Sequence, residues 1–446
     1  MKVFKFGGAS VKDAKAVKNV AEILKGFPKE NILVVVSAMG KMTNALERLT
    51  DAIFYPAKNV DDKKEDALTI LAEIKKYHFD IIAELFPSKD NPIYNEISNT
   101  FVELDWAVED TPTENYNYEY DKIVSIGEIV STKIVNAYLV EAGIKSIWKD
   151  VRDFIQTDNT YREGKVDWEL TQNVVNSELV PLFNSPGVYP ERSRREGGKG
   201  DESTIIVTQG FIGGTSENFT TTLGREGSDY TAAILAYACN AESVTIWKDV
   251  PGVLNADPKW FDETKKLDQL SYQDAIELAY YGATVIHPKT IKPLQNKKIP
   301  LLVKSFLNPA EKGTVISELQ SPLPIPCFIF KVNQVLISIS PKDFSFIAED
   351  NFSDIFNLFS EKQVKVNVMQ NSAISFSVSV DADERKLPDL IKTLQKQYRV
   401  LYNDNLELIT IRYYDQATID RVTIDKIVLL EVKSRYTVQI VVKPFA

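Results

Sequence analysis

The tightest constraint on this chain lies near its start, where Lys5-Phe6-Gly7-Gly8-Ala9-Ser10 joins a short apolar run (Val3, Phe4) to a segment with Val11, Ala14, Val17, Val20 and Leu24 on one face. That spacing predicts an amphipathic helix, and Ser10 followed by Asp13 reads as a capping box at its start. The stretch therefore spells strand, glycine turn and helix, with Lys5 closing the strand. Adjacent glycines let backbone approach a bulky anion, and amides at a helix start point at it. A lysine beside such a cradle can neutralise phosphate charge, although the same pattern also serves as a plain tight turn. It is not a Walker A loop, because no Gly-Lys-Ser/Thr follows.

At 446 residues the chain has room for two or three domains. Its net charge of −10 argues against a nucleic-acid or anionic-membrane surface. No apolar run approaches the roughly 20 residues of a membrane span, and the start lacks a signal-peptide layout. Cys239 and Cys327, the only cysteines, exclude a disulfide framework or a zinc cage, and two histidines (His78, His287) make histidine-based catalysis a poor fit. A cytoplasmic α/β protein is expected.

Residues 31–40 form a β-branched run ending in small residues, the pattern of a buried parallel strand opening on a ligand-facing loop. Ser37 and Thr43 place hydroxyls there, for a ligand or as loop caps. Residues 55–86 are helix-periodic, a polar aromatic loop follows around 111–120, and 121–141 is a helix with Glu128 near its start. The glycine-rich, charged stretch 187–200 has no periodicity and reads as an exposed, disordered insertion. Strand 205–207 leads to Gln209-Gly210-Phe211-Ile212-Gly213-Gly214, and then to Leu223-Gly224-Arg225-Glu226-Gly227-Ser228-Asp229-Tyr230-Thr231. Arg225 in its glycine-flanked turn can clasp a carboxylate with two hydrogen bonds. Asp229 opens a helix, as a cap or as an acid poised near phosphates and Mg²⁺. Strand 243–247 leaves through Lys248-Asp249-Val250-Pro251-Gly252-Val253-Leu254-Asn255-Ala256-Asp257-Pro258-Lys259. Ser271 with Asp274 again suggests a capping box, and Gly282 a helix end.

With these motifs in this order, the chain up to about residue 316 resembles the aspartate kinases of the amino-acid kinase family. The resemblance implies a three-layer αβα kinase domain (1–318) that phosphorylates the side-chain carboxylate of L-aspartate with ATP and Mg²⁺. It assigns Lys5 and Asp229 as catalytic lysine and organising aspartate, Arg225 to the substrate α-carboxylate and Glu128 to its α-amino group. Ser37, Thr43, Phe211 and Ser228 complete the substrate pocket. Gly7, Gly8, Gly213, Lys248, Asp249, Leu254, Asp257 and Lys259 fall at nucleotide positions. The chain departs from the family pattern at Ala9, Lys248, Leu254 and Lys259, and at Thr284, where several relatives carry a phosphate-reaching lysine. Lys248 or Lys289 is left to supply that charge.

A proline-broken linker (319–327) precedes a βαββαβ order over 328–415 that looks like one ACT domain, the ferredoxin-like α+β module for amino-acid sensing. Residues 416–446 offer two strands, 427–431 and 437–442, without room for a closing helix: a truncated second unit. The resemblance implies a homodimer through this tail and an amino-acid effector, lysine or threonine, near Ser340, Asn367 and Asn371. The expected reaction yields 4-phospho-L-aspartate, the entry to lysine, threonine and methionine synthesis. A glutamate- or carbamoyl-type kinase, or a catalytically silent sensor, are the alternatives.

Overall fold

The computed structural model describes residues 1–55, 66–184, 203–261, 263–283, 286–319, 325–343 and 345–445. Thr284 and the 187–200 stretch lie outside them. Two compact units emerge, and they interleave along the chain: Met1–Val253, Asp268–Tyr272 and Ile286–Leu319 form the first, Leu254–Leu267, Gln273–Val285 and Gln320–Ala446 the second.

The first unit is built on strands β1 (Lys2–Phe6), β2 (Ile32–Val36), β3 (Ser146–Trp148), β4 (Ile205–Gln209), β7 (Ser243–Lys248), β8 (Gln269–Ser271), β9 (Leu301–Ser305) and β10 (Thr314–Ser317), with the hairpin β5 (Ile212–Gly214) and β6 (Thr220–Thr222) beside it. The eight-stranded sheet runs in the order β3-β4-β2-β1-β7-β9-β10-β8. All neighbours from β3 to β9 are parallel, and β9 meets β10 antiparallel. Every residue of β2 is buried, as its unbroken β-branched run requires of a strand covered on both faces.

Helices α1 (Ala14–Lys25), α2 (Met42–Phe54), α3 (Ala67–Leu85), α4 (Ile93–Glu109), α5 (Tyr116–Glu141), α6 (Trp168–Val174), α7 (Val180–Asn184) and α8 (Gly227–Ala238) complete this part of the chain. Two expected helix starts are corrected. Asp13, not Ser10, caps α1, its side chain accepting from the Ala16 amide at 2.7 Å, while 8–11 is a 3-10 turn. Helix α5 begins at Tyr116, capped by Asn115, five residues before the expected start, so Glu128 is mid-helix. α5 has the length and apolarity of a membrane span, but 72% of its apolar window is buried in the fold, which makes it a core helix.

The second unit takes α9 (Tyr272–Tyr281) from Gln273 onward, whereas α10 (Pro288–Asn296) returns to the first. Its six-stranded antiparallel sheet comprises β11 (Cys327–Pro341), β12 (Val366–Asn371), β13 (Phe376–Asp381), β14 (Tyr398–Arg412), β15 (Lys426–Lys433) and β16 (Thr437–Pro444), in the order β12-β13-β11-β14-β16-β15. Helices α11 (Glu349–Glu361) and α12 (Leu387–Gln397) cover one part of it, with Ile337, Ile339, Ile355, Phe359, Val378 and Leu390 in the core between. Helix α13 (Gln416–Thr423), for which sequence gave no expectation, covers another with Ile419 and Val422 against Ile409, Ile411 and Ile440. β11 and β14 are 15 residues each and serve both parts: 334–339 pairs with β13, 334–341 with the first half of β14, and Cys327 onward with its second half. The segment Leu254–Leu267 joins this unit by stacking Trp260 on Phe330 and packing Phe261 on Phe328. α9 joins it through a buried ion pair, Asp274 accepting from Arg412 of β14 at 2.7 and 2.8 Å.

Candidate active site

In a parallel sheet, ligands gather where the strand order reverses, at the carboxyl ends. Here β1 lies between β2, its successor, and β7, far along the chain, with Phe6 in register with both Val36 and Trp247. A cavity of ≈ 920 Å³ opens in this unit, lined by Lys5, Ser37, Thr43, Glu128, Phe211, Arg225, Ser228, Asp229 and Lys248 among others. Every residue expected for catalysis or substrate is therefore gathered on this lining, from β1 and from the loops or helices after β2, β4 and β6.

The centre is electrostatic. Asp229, on the first turn of α8, has a side chain only 4% exposed and faces Lys5 Nζ at 2.6 Å and Lys248 Nζ at 3.6 Å. Burial pushes its carboxyl up, but the two ammonium groups overcome that and hold it below its ordinary value. The opposite holds for Glu128 of α5. Burial pushes its carboxyl up to about 8, with the Ala38 amide and the Lys5 charge opposing less strongly. Glu128 Oε2 and Glu226 Oε2 are buried with no hydrogen-bond partner. A buried acceptor without a partner costs about 1–3 kcal/mol, which a ligand's donor would recover.

The turns are fixed by close backbone approach. A Cβ at Gly8 would lie 2.6 Å from the Gly40 carbonyl oxygen, so only glycine lets the first turn pass the loop after β2. At Gly227 a Cβ would meet the Phe211 ring at 2.6 Å, and Phe211 itself holds φ 71°, its amide donating to Thr231 Oγ1 at 2.9 Å. These contacts bring the turn after β4 onto the start of α8.

Several expected nucleotide residues lie off this lining. Gly7 and Gly8 form the turn behind Lys5. Gly213 belongs to the β5–β6 hairpin, packed against Thr157 with a Cβ position only 2.9 Å from its methyl. Asp249 follows β7, and Leu254, Asp257 and Lys259 belong to the second unit. There Asp257 closes a turn by accepting from the Lys259 amide at 2.9 Å. Of the expected effector residues, Asn371 aligns with Ile339 through Phe376, next to Ser340. Asn367 lies further along β12, accepting from Lys331 Nζ and donating to Gln334 and Asp381, each at 2.9 Å.

Sequence reasoning passed over Glu47, Tyr120 and Arg162, which also line the cavity. What fixes Arg162 is Asp121. This fully buried carboxylate on α5 accepts from the amides of Arg162 and Thr222, both at 2.9 Å, and so fastens the loop that carries Arg162.

The fold and the lysine–aspartate–lysine centre define a phosphoryl-transfer α/β kinase, and residues 1–305 match the model of the amino acid kinase family. The lysine-sensitive aspartokinase 3 of Escherichia coli is 30% identical over 423 residues, 92% of this chain and 86% of that protein. The chloroplastic aspartokinase 1 of Arabidopsis thaliana is 30% identical over 399 residues, 87% of this chain and 65% of that protein. The chain belongs to the aspartokinase family. The crystal structure of E. coli aspartokinase III in complex with aspartate and ADP superposes with a TM-score of 0.76 at 26% identity, covering 100% of this chain and 96% of that one. The aspartate kinase of Clostridium acetobutylicum, at 20% identity and a TM-score of 0.75, shares the fold.

Proposed function

We infer that this chain is an aspartate kinase: it transfers the γ-phosphoryl group of ATP to the side-chain carboxylate of L-aspartate. The product, 4-phospho-L-aspartate, is the first intermediate towards lysine, threonine and methionine. The observation that carries this reading is the buried Asp229 between Lys5 and Lys248, in the same cavity as Arg225 and Glu128. A carboxylate oxygen of aspartate attacks the γ-phosphorus in line, and the bond from that phosphorus to the ADP oxygen breaks. The nucleophile is already ionised, so no general base is needed.

The chain's own groups position and neutralise. Asp229 fixes the Lys5 ammonium toward the transferred group, and Lys248 adds a second positive charge. Arg225 is exposed on the lining and would take the α-carboxylate in a bidentate clasp. Glu128, once ionised, would accept from the α-ammonium group. Ser37, Thr43, Phe211 and Ser228 would shape the remaining pocket. For the nucleotide, the assignment of Gly7, Gly8, Gly213, Lys248, Asp249, Leu254, Asp257 and Lys259 rests on the family motifs. Among the described residues no group of three or more His, Cys, Asp or Glu is set to hold a metal. Mg²⁺ would arrive on the nucleotide phosphates and need only one or two carboxylates; Asp229 would be one, and the ion would neutralise phosphate charge.

The tail is read as an ACT domain over 328–415 with a shortened second unit over 416–446, following the catalytic part (1–318), and as the contact of a homodimer. Lysine is the proposed effector, because the E. coli relative is lysine-sensitive and has been crystallised with lysine and aspartate. The test of the reaction is ATP-dependent acyl-phosphate formation, trapped with hydroxylamine, across aspartate, glutamate and carbamate. Formation with aspartate alone is expected. Equal or better formation with glutamate would reassign the substrate, and none with any acid would leave a silent sensor.

A further inference from the structure

We propose that Arg162 is a second guanidinium for the substrate α-carboxylate, acting beside Arg225. This rests on the aspartate kinase reading above. Arg162 sits on the cavity lining in a left-handed backbone conformation, φ 68°, that a non-glycine side chain rarely adopts. The surrounding contacts hold it there. Its amide donates to the buried Asp121, which also accepts from the Thr222 amide and hydroxyl at 2.9 and 2.7 Å, and the Gly164 amide donates to the Thr222 carbonyl at 2.8 Å. The loop is thereby laced to β6, one residue before the turn that carries Arg225. At Gly224, a Cβ would lie 3.4 Å from the Arg162 carbonyl oxygen, so the two arginine-bearing turns touch.

The guanidinium is presented rather than consumed. It stacks over the Tyr120 ring at 4.1 Å, and among the described residues it pairs with Glu47 in a loose 3.5 Å contact, both side chains about 40% exposed. A stacked, planar fork loses little freedom when it takes a carboxylate. Charge apportionment points the same way. Lys5 and Lys248 face Asp229, and Glu128 suits an ammonium group. The positive groups left on the lining are Arg225 and Arg162, and a carboxylate has lone pairs enough for both. The bland alternative is that Arg162 only latches its loop to Glu47 on α2.

The experiment compares wild type, Arg162→Met, Arg162→Lys and Glu47→Gln by steady-state kinetics, with isoasparagine as a competitive inhibitor. Isoasparagine is aspartate with its α-carboxylate converted to a neutral amide. The expected result for Arg162→Met is an aspartate KM raised about tenfold or more, the scale of a lost charge-assisted hydrogen bond, with the ATP KM within twofold. The inhibition constant of isoasparagine should stay within twofold. Arg162→Lys, which keeps the loop charge, should show the same selective pattern more weakly. It carries the test if the methionine variant melts early. Glu47→Gln removes a competitor and should lower the aspartate KM. Equal losses for aspartate and isoasparagine, an ATP KM that rises in parallel, or no change at all would overturn the proposal. Wild-type enzyme inactive on aspartate would instead overturn the functional reading.

Discussion

Lys5 stands 11% exposed against a carboxylate that is 4% exposed, so its charge acts where water screens it little. Lys5→Met should lower turnover at saturating ATP by ~10²-fold or more while the fold persists, since Lys248 still neutralises Asp229. Near-normal turnover in a folded variant would remove Lys5 from the transition state. Within the cavity, Glu128 is expected to carry the pH dependence of aspartate binding. Its carboxyl lies at about 8 in the folded chain and near 4.3 when unfolded, so between those values the folded state holds the extra proton. Stability from this group therefore falls as pH climbs through that window and levels off above 8. The substrate ammonium wants the ionised form, so the aspartate KM should fall as pH rises to about 8. Glu128→Gln should raise that KM and flatten both profiles. A variant that keeps the wild-type pH profile would assign it to another group.

At the scale of elements, the reading succeeded where one residue type has a single physical use. The continuous run of β2 could only be a covered strand, and the glycines around Arg225 could only mark a close turn before α8. It failed where local patterns compete. Ser10 and Asp13 are both good caps, and three-dimensional packing chose Asp13, leaving Ser10 in a 3-10 turn. Helix α4 went unread although Ile93, Ile97, Phe101 and Leu104 fall at helical spacing, and the pairing of β11 with two different halves of β14 is invisible to period-two hydropathy. Arg162 escaped because its place depends on Asp121, 41 residues away. The ion pair of Asp274 with Arg412, 138 residues apart, was hidden for the same reason. Both side chains are nearly buried, and Tyr413 donates to the same oxygen at 2.8 Å. Asp274→Ala leaves the guanidinium with Glu277 at 3.5 Å, and should cost about 3–5 kcal/mol in denaturant unfolding. A loss under about 1 kcal/mol would show that water or Glu277 takes over.

On the scale of the whole molecule, the interleaving of the two units decides how regulation can be tested. A chain ending before Cys327 looks like a kinase without its sensor, but 254–267 and 273–285 belong to the second unit. The cut would strip Phe328 and Phe330 from Trp260 and Phe261, and Arg412 from Asp274. Such a chain should expose aromatic surface and aggregate, so lost activity would say nothing about feedback. Regulation has to be read on the intact chain. An effector inhibits only by binding a low-activity arrangement better than the active one, and by linkage aspartate must then weaken effector binding if the two states differ in substrate affinity. The expected outcome is inhibition by lysine, weaker or none by threonine, and a lysine half-maximal concentration that rises with aspartate. Sedimentation should give a dimer mass. No response to either amino acid would end the feedback proposal for these effectors, and a soluble, active dimer from the cut chain would show that the tail neither completes the fold nor joins the subunits.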